Sequence, residues 1–145
     1  MIQRIQTIWL TLAALANAGL FCFDLYRIHE MKDGVDTLSQ LRVTTGYPLL
    51  LLAIVITVLP VVAIFMYKTR KRQRSVAAFS IIANIGFIAM LLTLVTRHTI
   101  KMPPTATGSY WIGSVLPVIA IVFLFLAIRG ITKDEKLVKS QDRLR

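Results

Sequence analysis

Four stretches of this chain contain no Asp, Glu, Lys, Arg or His: Ile5 to Phe23, Tyr47 to Tyr67, Val76 to Thr96 and Trp111 to Ile128, of 19, 21, 21 and 18 residues. A bilayer core about 30 Å thick takes about 20 helical residues rising 1.5 Å each, so every stretch is long enough to cross. A backbone in lipid must satisfy its own hydrogen bonds, which leaves helices or a closed barrel. Barrel strands alternate polar and apolar residues, and the run from Leu49 to Ile56 (LLLLAIVI) does not alternate. The expected fold class is therefore all-α: a polytopic membrane protein forming a single domain over residues 1–145, with four transmembrane helices in a bundle. With 56% hydrophobic residues gathered in these blocks, a water-soluble globule is excluded.

The first stretch also imitates a signal peptide, with Arg4 as a basic leader and Ala16-Asn17-Ala18 as a small-x-small cleavage site. Apolar residues continue past that site from Gly19 to Phe23, which favours a retained helix. Aromatic residues flank the stretches: Tyr26, Tyr47, Tyr110 and Trp111 towards one side, Trp9 and Tyr67 towards the other. Such rings favour the headgroup level.

Orientation follows from charge. Four crossings put both termini and the middle link on one side, with Arg4, Lys68, Arg70, Lys71, Arg72, Arg74, Arg129, Lys133, Lys136, Lys139, Arg143 and Arg145. The other side has only Arg27, Lys32, Arg42, Arg97 and Lys101. Basic residues accumulate on the cytoplasmic side, so both ends are expected there. The net charge of +10 is then a topology signal and a contact for anionic lipid headgroups, made chiefly by Lys68, Arg70, Lys71, Arg72 and Arg74. Nucleic acid is not an expected partner, because no groove-reading or base-stacking module accompanies the charge. The eight-residue link 68–75 makes the second and third helices antiparallel neighbours. Pro60 and Pro117 fall inside spans and should bend them.

No span carries an ionisable residue, which argues against a self-sufficient ion-coupled transporter. The strongest polar groups inside are Asn17 and Asn84, expected to face the bundle interior or a partner, with a hydrogen bond between them feasible. Ala14 and Ala18 on the first helix, and Ser80 and Asn84 on the third, have the small-xxx-small spacing of close helix contacts. His29 and His98, with Asp24, Glu30, Asp33 and Asp36, lack any metal-ligand spacing, and Cys22 is the only cysteine, so no metal, cofactor or disulfide is expected. No nucleophile, phosphate-loop or zinc-hydrolase motif occurs, and the expectation is a protein without enzymatic activity. Lys32-Asp33-Gly34-Val35 reads as a tight turn that could close a short hairpin in the 24–46 loop.

Beyond the fourth span, Gly130 suggests a helix end, and Thr132-Lys133-Asp134-Glu135 has the form of a capping box. A separate short amphipathic helix is expected from about Lys133 to Leu144, with a disordered basic tail as the alternative. Both chain ends, Met1 to Thr7 (MIQRIQT) and Lys133 to Arg145 (KDEKLVKSQDRLR), resemble a bacterial family of four-helix inner-membrane proteins called domain of unknown function 4293. The resemblance implies an envelope location and no assigned activity. It singles out Gln3, Arg4 and Gln6, and Lys133, Asp134, Glu135, Lys136, Leu137, Val138, Lys139, Asp142, Arg143 and Arg145, as candidates for docking other membrane proteins. Acids among the bases of the tail favour a protein over lipid as its partner. The leading functional expectation is a non-enzymatic accessory subunit or assembly partner of a larger envelope complex; the alternative is a transporter or channel component for an uncharged or lipidic solute.

Overall fold

The computed structural model describes residues 3–32, 35–100 and 106–142, with side chains over 5–30, 37–100 and 106–135. Within them α1 is Gln3–Ala18, α2 Tyr47–Phe65, α3 Arg70–Ile100 and α4 Ile112–Asp142, and β1 is Tyr26–Lys32, β2 Val35–Leu41 and β3 Thr107–Tyr110. The helices form a ring in which α1 packs along α2 and α4, and α3 along the same two.

Two apolar clusters stack along this bundle. Towards the chain termini lie Leu10, Ala13, Ala63, Ala77, Leu124 and Ala127. Ala13, Ala63, Ala77 and Ala127 come one from each helix and are fully buried, so the four backbones approach closely where no larger side chain intervenes. Nearer the strands, Leu20, Leu25, Tyr26, Leu41, Leu49, Ala53, Ile56, Phe87 and Leu91 form the second cluster. The outward faces are also apolar: Ile54, Val58, Phe65, Phe79, Ile82, Ile85, Val115, Val122 and Phe125 are exposed.

The helices depart from the expected spans in instructive ways. α2, α3 and α4 are long and apolar enough to cross a membrane, whereas the first apolar helix, Ile5–Phe21, is shorter. α1 ends at Ala18, and Gly19 lies against α4, where a Cβ would sit 3.0 Å from Leu116 Cδ1. The Cys22 and Phe23 amides both donate to Gly19 O, winding the chain off through a 3-10 turn. α3 starts at Arg70, so four of the five linking cations are helical and the α2–α3 link shrinks to 66–69. α2 continues through Pro60 and α4 through Pro117.

α4 also continues through Gly130, so the separate tail helix is corrected: the tail is the end of a 31-residue helix. Gly130 does not terminate it. A Cβ there would approach Gln6 Cγ to 3.1 Å, so the glycine admits α1. Thr132 does not act as a cap, since its hydroxyl donates to Ile128 O one turn back, at 2.9 Å.

The all-α expectation needs a second correction, a three-stranded antiparallel sheet in the order β2-β1-β3. β1 and β2 form the anticipated hairpin, from Tyr26 opposite Leu41 to Lys32 opposite Val35. Asp33 and Gly34, the centre of the expected turn, lie outside the described residues. β3 pairs Tyr110 with Tyr26 and Thr107 with His29. Gly108 faces the Tyr26 ring so closely that any Cβ would overlap it. Leu25, Tyr26, Leu41 and Val43 root the sheet in the bundle, while Thr37 to Gln40 are exposed on both faces of β2.

Candidate functional site

Among the described residues, the buried polar groups gather in three places: a layer inside the bundle, a junction at its tail end and a clamp at its sheet end.

The interior layer separates the two apolar clusters. Asn17, Ser80 and Asn84 are fully buried there, beside Pro60. Proline has no N–H, so the carbonyl four residues earlier, Ile56 O, loses its helical partner. Asn17 Nδ2 donates to that carbonyl at 2.7 Å. The expected bond between Asn17 and Asn84 is not formed: Asn84 Nδ2 donates to Ser80 O of its own helix at 2.8 Å. Both amides do face the interior. Asn17 Oδ1, Asn84 Oδ1 and Ser80 Oγ are buried without a hydrogen-bond partner in the protein. The layer therefore offers two amide acceptors and one hydroxyl that can both donate and accept, and no group that changes charge near neutral pH.

At the tail end, Gln6 Nε2 donates to Asp134 Oδ2 across the α1–α4 contact opened by Gly130. Arg70 Nη1 reaches Asp134 O at 3.2 Å, and Arg74 Nη1 pairs with Glu135 Oε2 at 3.2 Å. Gln6, Gln73 and Asp134 are buried. The candidate docking residues thus divide. Gln6, Asp134 and Glu135 bind the chain's own helices, while Lys133 is exposed. The side chains of Gln3, Arg4, Lys136, Leu137, Val138, Lys139 and Asp142 fall outside the described set, as do Arg143 and Arg145 entirely. The basic link divides likewise: Lys68, Lys71 and Arg72 are exposed, and Arg70 and Arg74 turn to α4.

At the sheet end, Asp24 is 4% exposed and takes two arginines: Arg27 Nη2 at 2.8 Å and Arg42 Nε at 2.7 Å. Their hydrogen bonds, Arg27's first, hold its carboxyl below the ordinary aspartate value of 3.8 although burial pushes the other way. The Arg27 guanidinium also lies over the Trp111 ring, 3.9 Å from its centroid. Asp24 O accepts the Gly113 amide at 3.1 Å, and a Cβ on Gly113 would sit 2.5 Å from that oxygen. The clamp ties Asp24 to β1 through Arg27, to the residue after β2 through Arg42, and to the start of α4 through Gly113. Sequence reasoning missed it because Asp24 reads as one more loop acid. Among the described residues no group of three or more His, Cys, Asp or Glu is placed to hold a metal ion.

Three helices long and apolar enough to cross a membrane make the chain compatible with one. No curated protein matches it. The chain belongs to the family described as Domain of unknown function (DUF4293), whose model matches residues 2–144.

Proposed function

We propose that this protein is a non-enzymatic, multi-pass component of the bacterial inner membrane, an accessory subunit or assembly partner of a larger envelope complex, with both termini in the cytoplasm. The observation that carries the reading is the contrast between the bundle's two surfaces. Large apolar side chains cover the helix exteriors, and the polar junctions sit at the two ends. An apolar exterior of that extent is costly in water and neutral in lipid.

The short first helix does not count against a four-span arrangement. Gln6 meets Asp134, Trp9 stacks on Phe123 at 5.8 Å, and Gly19 abuts Leu116. α1 thus lies antiparallel along the apolar length of α4, which supports counting it as the fourth span. Partner contacts are assigned to the exposed stretch Thr37 to Gln40 of β2, and to Gln3, Arg4 and the tail from Lys136 onwards as candidates carried by the sequence.

Two experiments test this. In a Cys22→Ser background, a membrane-impermeant maleimide added to intact cells should label Gln40→Cys and not Arg72→Cys, which should react only after permeabilisation. The reverse pattern would overturn the orientation. Removal of residues 136–145 leaves the Asp134 and Glu135 contacts in place, so it should preserve folding while changing the proteins that co-purify from native membranes. An unchanged set would remove the tail from the docking role.

One observation favours the transporter reading: two unpaired buried amide oxygens and an unpaired hydroxyl, that of Ser80, in a single interior layer beside Pro60. An uncharged solute with donor groups would suit them. Solute uptake that depends on Asn84 and Ser80 would support that reading over the accessory role.

A further inference from the structure

The tail's acids favoured a protein partner when they were read as part of one surface. Among the described residues the fold turns Asp134 and Glu135 away from Arg129 and Lys133. Asp134 faces α1 and Glu135 pairs with Arg74 of α3, while Arg129 and Lys133, four residues apart on α4, are both exposed. Residues four apart stack along one helix face. Above Arg129 on that face is Phe125, 63% exposed, and the adjacent row carries Ile128 and Thr132. These five residues line a groove of about 420 Å³, a volume within the usual range for small-molecule sites. Its upper part is apolar and its lower part carries two cations, and among the described residues neither cation has a carboxylate partner. The groove lies where the apolar run of α4 ends.

We propose that this groove is a specific site for an anionic phospholipid, with Arg129 and Lys133 on the phosphate and Phe125 and Ile128 against the first carbons of the acyl chains. The proposal rests on the membrane reading above. It differs from general attraction of basic residues to the cytoplasmic leaflet, because the cations flank a recess and share it with apolar surface. Basic pockets on the cytoplasmic side of membrane helices hold headgroups in this way. Arg supplies a planar fork that matches phosphate oxygens and Lys a mobile point charge, so the pair can grip one group from two directions.

The test uses the full chain purified in a non-ionic detergent, with dioleoyl phosphatidylglycerol or dioleoyl phosphatidylcholine added and retained lipid read by native mass spectrometry. The wild type should retain phosphatidylglycerol roughly tenfold better than phosphatidylcholine. Arg129→Gln with Lys133→Gln should abolish that preference, whereas Arg97→Gln, exposed at the far end of α3 and outside the groove, should keep it. Glycerol phosphate, which lacks acyl chains, should not compete. The site is refuted if the two lipids bind alike, if Arg97→Gln loses the preference as fully as the double variant, or if glycerol phosphate displaces the lipid. Thermal midpoints of the variants check folding, and Lys133→Gln alone, expected to halve the preference or more, stands in should the double variant unfold. Extraction by alkaline carbonate reads the membrane reading separately: a protein that resists extraction yet shows no lipid preference sinks this site alone.

Discussion

The bond from Asn17 to Ile56 O makes a sharp energetic prediction, because the carbonyl it satisfies is free only on account of Pro60. Asn17→Leu keeps the volume roughly constant and removes the donor, leaving Ile56 O buried and unpaired. Interhelical hydrogen bonds of this type are worth about 0.6–1.7 kcal/mol in membrane proteins. Part of the loss is offset, since Leu also removes Asn17 Oδ1, which has no partner. The expected cost is therefore about 1 kcal/mol. Pro60→Ala restores an N–H one turn from the same carbonyl, so in that background Asn17→Leu should cost almost nothing. The benefit of removing Oδ1 is the same in both backgrounds, which makes the coupling energy, about 1 kcal/mol, the diagnostic quantity. Reversible unfolding of the four species in mixed micelles, followed by far-ultraviolet circular dichroism, measures it. Equal losses with and without Pro60, with coupling below about 0.3 kcal/mol, would refute the assignment of Asn17 as the proline's compensating donor.

Asn84→Leu should behave differently, being neutral or slightly stabilising in the same assay, because its amide donates to a carbonyl of its own helix and its Oδ1 is unpaired. Asp24→Asn should destabilise by about 1–3 kcal/mol by weakening its charge-assisted bonds, with Arg42, 59% exposed, contributing the smaller part. Because the folded Asp24 carboxyl titrates below 3.8, its contribution is complete above that pH and fades as pH falls from there through the folded value, so unfolding midpoints of wild type and Asp24→Asn should converge in strong acid and stay apart at pH 7. Gly113→Ala, blocked by backbone at 2.5 Å, should cost about 1–3 kcal/mol. Gly86→Ala, with nothing within 4 Å of its Cβ, should instead gain up to about 1 kcal/mol. A thermal melt in detergent ranks the two glycines, and equal effects would contradict the packing described. Arg74→Gln should cost under about 1 kcal/mol, since Arg74 is 43% exposed.

The apolar segments were legible because their length and lack of charge require no knowledge of neighbours. Helix ends were less so, since charge was taken as the boundary. Arg70 to Arg74 and Lys133 to Asp142 are charged and still helical, as bundle contacts extend helices beyond their apolar cores. Gly130 was misread because glycine's local meaning, a helix end, competes with its tertiary meaning, room for another helix. β3 was invisible: Thr107-Gly108-Ser109-Tyr110 is too short to be a strand without β1, about eighty residues earlier in the chain. Of the polar residues, Asn17 and Asn84 stood out as amides in apolar runs, but their partners did not. Pro60 was the unused clue, because a mid-helix proline implies an orphan carbonyl at Ile56 and so a donor on an adjoining helix.

The unbroken α4 has a mechanical consequence. Seven residues, 136–142, extend past the Gln6–Asp134 and Arg74–Glu135 contacts as a stiff rod about 10 Å long. For the docking role proposed above, a flexible leash would let a bound partner wander, whereas a rod fastened at its base would hold it at a set height and bearing and pass any torque on the tip to the seam between α1 and α4.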